Sequence, residues 1–101
     1  RLKTLVLIDI NLTAKPAAVI ARSLNQAPSL CYLYLSRNPL GEGVSVLTRH
    51  LSRVPHLESL DLFNVKMTKQ QVNDLSAAVR QSNISWLDTD YHVSFVILVC
   101  I

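Results

Sequence analysis

Apolar residues along this chain follow two alternating rhythms. At Leu5-x-Leu7, Leu33-x-Leu35 and Leu60-x-Leu62 they recur every second residue, the period of a strand with one buried face. Between these centres the spacing becomes three then four, at Ala17, Ile20, Leu24, at Val44, Leu47, Leu51 and at Val72, Leu75, Val79. That spacing lines one face of a helix. Pro28 and Pro55 fall just past the first two helical runs, where a residue unable to continue a helix belongs. Thr68 followed by Gln71 has the form of a capping box, with Thr68 as the N-cap of the third helix. The expected unit is strand, turn, helix, and neither half can bury its apolar face alone.

The unit repeats. Leu2-x-x-Leu5-x-Leu7-x-x-Ile10-x-Leu12 superimposes on Leu30-x-x-Leu33-x-Leu35-x-x-Asn38-x-Leu40 and on Leu57-x-x-Leu60-x-Leu62-x-x-Val65-x-Met67. The starts lie 28 and 27 residues apart, and another 27 reaches Ile84-x-x-Leu87. One domain is therefore expected, with copies over about 2–29, 30–56 and 57–83 and a degraded copy or cap over 84–101. Strands stack about 4.8 Å apart, whereas helix axes need roughly 8–10 Å. A stack with helices on one side must bend, with parallel strands inside the curve and helices outside.

The copies resemble the ribonuclease-inhibitor type of leucine-rich repeat, whose members alternate two sub-types. Asn38-Pro39-Leu40-Gly41-Glu42-Gly43-Val44 is similar to the asparagine sub-type, with the second glycine one place early. Leu12-Thr13 and Met67-Thr68 match the other, with Ile10 and Val65 in place of its cysteines. The resemblance covers residues 2 to about 88 and is greatest to the repeat domain of a NOD-like receptor. It implies an α/β leucine-rich-repeat solenoid, a horseshoe arc with a concave strand face and a convex helix face. It also implies a non-catalytic protein-binding module, the ligand-sensing or regulatory part of a cytoplasmic innate immune receptor, with no cofactor. An alternative within the same resemblance is an activator or inhibitor of a partner enzyme, of the GTPase-activating or nuclease-inhibitor kind. A third reading is a structural spacer that packs on a neighbouring domain.

The two ends depart from the pattern. Thr89, His92 and Ser94 replace the residues expected after Leu87, and Phe95–Ile101 follows as a β-branched apolar run where a helix should start. It reads as a capping strand, or alternatively as a truncated edge that drives self-association. The first copy begins directly at Leu2, and the chain opens on Arg1 without a basic-apolar leader. The expectation is a piece of a longer protein whose upstream repeats or partner cover the first strand.

Positions between the leucines should face the hollow of the arc. They are Thr4, Val6, Ile8, Asp9; Tyr32, Tyr34, Ser36, Arg37; Ser59, Asp61, Phe63, Asn64; and Trp86, Asp88, Asp90, Tyr91. Five of the six aromatics fall in this set. Strand propensity enriches aromatics, but a core role would place them on the leucine side. Tyr32, Tyr34, Arg37, Asp61, Phe63, Trp86, Asp88, Asp90 and Tyr91 are the expected contact residues. The set holds four aspartates and one arginine in a chain of net charge +3. The positive excess lies elsewhere, on Lys15, Arg22, Arg49, Arg53, Lys66, Lys69 and Arg80. The expected partner is a protein with a basic surface. Lysines scattered over helix surfaces are ordinary solvated positions, so the pI of about 9.1 is not read as a nucleic-acid signal.

Composition closes off other classes. Half the residues are apolar and 17% charged, with mean hydropathy +0.27, which excludes disorder. Cys31 and Cys100 could form at most one bridge, so this is no disulfide scaffold. The longest apolar run has seven residues against roughly 20 for a membrane-spanning helix. No glycine-rich phosphate loop is present. His50, His56 and His92 lack metal-ligand spacing, and Cys31 has no neighbouring histidine. Asp88 and Asp90 lie two apart and would share a strand face, and an acidic patch needs no catalysis to explain it. Asn11-Leu12-Thr13 and Asn83-Ile84-Ser85 match the glycosylation pattern but sit in repeat-forming positions.

Overall fold

The computed structural model describes residues 2–90. Four short parallel strands form one sheet in sequence order: β1 (Thr4–Val6), β2 (Tyr32–Tyr34), β3 (Ser59–Leu62) and β4 (Trp86–Thr89). Helices α1 (Ala14–Ser23), α2 (Gly43–His50) and α3 (Lys69–Arg80) connect them. Parallel neighbours cannot be joined by a hairpin, so each connection crosses back through a helix. The register follows the repeat. Leu5 pairs with Leu33, Leu33 with Leu60 and Leu60 with Leu87.

These leucines point toward the helices. Leu30, Leu33, Leu40, Leu57, Leu60, Leu62, Leu75 and Leu87 are fully buried in one continuous core. Burial depends on having a preceding copy, and Ile84 and Leu87 of the last copy are buried like their counterparts in the second. Leu2 is 48% exposed and Ile10 53%, whereas their counterparts Leu30 and Asn38 are 0% and 1% exposed. Nothing among the described residues pairs with the outer edge of β1.

The first two apolar stripes outlast their α-helices. Leu24 and Leu51 begin 3-10 turns, Leu24–Gln26 and Leu51–Arg53. The tighter turn closes on N–H groups of Ala27 and Val54, which donate to the carbonyls of Leu24 and Leu51. In α3 the third stripe residue, Val79, remains inside the helix. Its opening is the expected capping box: Gln71 N–H donates to Thr68 Oγ1 at 3.1 Å, and Thr68 N–H donates to Gln71 Oε1 at 2.9 Å. Gln71 Nε2 also donates to Gly41 O and Ser45 Oγ, tying α3 to the turn before α2.

The turns after the strands alternate in form. Asp9, Arg37 and Asn64 occupy the same repeat position, each with left-handed φ of 54°, 59° and 57°. Two residues later the first and third copies are left-handed again, at Asn11 and Lys66. The second copy has Pro39 there and becomes left-handed at Gly41 instead, at φ +53°. Asn38, 1% exposed, binds this turn to the previous one. Its Oδ1 accepts from Ile10 N–H and Leu12 N–H at 3.0 Å each. Its Nδ2 donates to Leu7 O at 2.6 Å and to Leu35 O and Ser36 O at 3.1 Å. Gly43, one place earlier than the sub-type pattern, opens α2 against α1; a Cβ there would lie 2.6 Å from Ala17 Cβ.

Candidate functional site

The parallel register converts the between-leucine residues into rows across the open side of the sheet. Thr4, Tyr32, Ser59 and Trp86 form one row, and Val6, Tyr34, Asp61 and Asp88 the next. Phe63 follows Asp61 beyond β3. Tyr32, Phe63 and Trp86 are exposed at 37%, 41% and 44%, and Tyr34, Asp61 and Asp88 are half-buried. Strand alternation is the cause: with Leu33, Leu60 and Leu87 turned to the core, their neighbours must face solvent.

Asp61 and Asp88 are in register on adjacent strands, about 4.8 Å apart in backbone spacing. Like charges so placed repel. One relief is local: Asp61 Oδ1 accepts from Phe63 N–H at 3.1 Å. Asp88 is also engaged. The result is a negative row with aromatic rings around it, a surface that a cationic side chain with an apolar stem would complement.

Two expected placements are corrected at once. Ser36 is 5% exposed and belongs to the turn, not to the open face. Ser36 O accepts from both Asp9 N–H and Asn38 Nδ2, and its short side chain is covered where the larger Ile8 and Phe63, at the same repeat position, stand out at 37% and 41% exposure. Asp90 is past the end of β4 and does not share a strand face with Asp88. Its Oδ1 accepts from Asn64 N–H at 2.9 Å, a bond that backbone carbonyls of Ser36 and Phe63 make in the earlier copies. Thr89 fills the vacated leucine place, buried and in register with Leu62. Tyr91, together with His92 and the Phe95–Ile101 run, lies outside the described residues.

Arg37 is exposed but is not on the aromatic rows. Beyond the carboxyl ends of the strands it lines a groove of about 290 Å³ with Asp9, Asn38, Pro39, Asn64 and Lys66. Lys66 had been grouped with the helix-surface cations, yet it belongs to this turn. The signal was present in its repeat position, equivalent to Asn11 and Pro39. Lys15, Arg22, Arg49, Arg53, Lys69 and Arg80 are exposed on α1, α2, α3 or the turn after α2.

The remaining candidates have ordinary partners. Cys31 is half-buried with its thiol 3.4 Å from Ser29 O, and His50 Nδ1 is 2.8 Å from Val46 O one helical turn back. Among the described residues no three His, Cys, Asp or Glu side chains group as a metal site. No helix among them is long and apolar enough to cross a membrane. No family model and no curated protein matches this chain.

Proposed function

We propose that the chain is a non-catalytic protein-binding module built as a segment of a leucine-rich-repeat solenoid, and that it binds a basic protein surface through the open face of its sheet. The single observation behind this reading is the row Tyr34–Asp61–Asp88 on the solvent side, with Tyr32, Trp86 and Phe63 beside it. A large aromatic surface left in water is costly for a fold that has no use for it, and tyrosine and tryptophan dominate binding hot spots. Carboxylates among the rings select cationic partners and add salt-sensitive steering. The solenoid assignment draws on the in-register repeat, on the Asn38 bridge between copies and on the alternating turns. Within that family the reading is a ligand-sensing or regulatory repeat domain of a cytoplasmic NOD-like-receptor type protein.

The test is affinity of a captured protein partner for wild type, Tyr34→Ala and Trp86→Ala, measured by calorimetry at two salt concentrations. Each substitution should cost about 2 kcal/mol or more, and higher salt should weaken the wild type. Unchanged affinity in both variants overturns the open face as the binding site.

A further inference from the structure

The groove past the strand ends has no part in the aromatic rows, and its chemistry is of opposite sign. Arg37 and Lys66 both line it, with Asp9 as the acidic lining residue and the Asp90 carboxylate held beside it on the Asn64 N–H. Among the described residues neither cation makes a side-chain hydrogen bond or ion pair, and neither Asp9 nor the Asn64 side chain is engaged. Asp9 and Arg37 thus line one groove without an ion pair between them. Both cations are also carried on left-handed backbone, φ 59° at Arg37 and 58° at Lys66. That conformation suits glycine, asparagine and aspartate, and disfavours long L side chains. Ligands of parallel α/β sheets gather outside the carboxyl ends of the strands, which is where this groove lies.

We propose that Arg37, Lys66 and the Asn64 amide form an oxyanion-binding site, taking a phosphate or carboxylate group. Arg37 offers a planar fork that two oxygens can accept, and Lys66 a second, mobile positive charge. Asn64 Nδ2 adds a neutral donor. Asp9 at the same groove disfavours a highly charged anion. The site stands independently of the partner proposed for the sheet face. If that partner also carries an acidic group, the groove would fix its direction across the sheet.

The probes are inorganic phosphate and a blocked peptide containing phosphoserine, each titrated into the intact chain by amide NMR. Saturable shifts should concentrate at Arg37, Asn64 and Lys66. Arg37→Asn and Lys66→Asn, which suit the left-handed backbone, should each weaken binding roughly three- to tenfold. Arg22→Ala and Arg80→Ala, on exposed helix faces, should leave it unchanged. Tighter binding of the peptide assigns the oxyanion to a polypeptide, and equal binding assigns a free phosphate. Non-saturating shifts, or shifts spread equally over Arg22 and Arg80, overturn the site. Because neither probe needs the sheet face, failure here leaves the Tyr34 and Trp86 test standing, and the converse holds.

Discussion

Replacing Asn38 by alanine would test the account of how one copy holds the next. The side chain is 1% exposed and makes five hydrogen bonds, three of them to the preceding copy, at Leu7, Ile10 and Leu12. Alanine keeps the backbone and removes both ends of that bridge. Leu12 N–H is buried and would lose its partner, at a cost of about 1–3 kcal/mol. Ile10 is exposed enough for its N–H to reach water, so its share is smaller. The carbonyls of Leu7 and Leu35 lose a donor each, at about 0.5–1.5 kcal/mol apiece. The total comes to roughly 3–5 kcal/mol, a large part of the 5–15 kcal/mol typical of a whole domain. In melting temperature that is a fall of roughly 15–30 °C. Urea titration followed by circular dichroism gives the free energy, and hydrogen exchange at the Ile10 and Leu12 amides localises it. Val65→Ala, at the equivalent place in the third copy, removes packing without a polar partner and should cost less. A loss below about 1 kcal/mol for Asn38→Ala, with both amides still protected, would refute the bridging role.

Further expectations concern single positions. Gly43→Ala drives a methyl to within 2.6 Å of Ala17 Cβ and should destabilise by about 1–3 kcal/mol in the same titration. Thr68→Ala removes the acceptor of the Gln71 N–H and should cost about 1 kcal/mol, seen as a lower melting temperature. Lys66→Asn relieves a long side chain from left-handed backbone and should raise stability by about 0.5–1 kcal/mol, even as it loses phosphate affinity. Ile10→Lys places charge on the open edge beside β1, and any concentration-dependent association seen by sedimentation should diminish; association that persists unchanged would exclude this edge as its cause.

Most of the fold was legible in the sequence because the repeat states each contact several times. Leu5, Leu33, Leu60 and Leu87 recur at fixed intervals, so a parallel register and a single sheet follow from counting. Thr68 and Gln71 were readable as a cap because a capping box is local. The 3-10 turns at Leu24 and Leu51 were not readable, since spacing of three then four does not say where the helix tightens.

The candidate site divides in the same way. Alternation alone put Tyr32, Tyr34, Asp61, Trp86 and Asp88 on the side of the sheet opposite the leucines, and a period of two leaves no other choice while a strand lasts. Where a strand stops was decided by tertiary contacts. Asn38 ties down the Ser36 carbonyl, Asp90 turns its carboxylate to the Asn64 amide, and left-handed turns bring Arg37 and Lys66 to one groove from separate copies. Sequence periodicity encodes which face a residue takes within an element, but bonds between copies, distant along the chain, fix the turns and the groove they enclose.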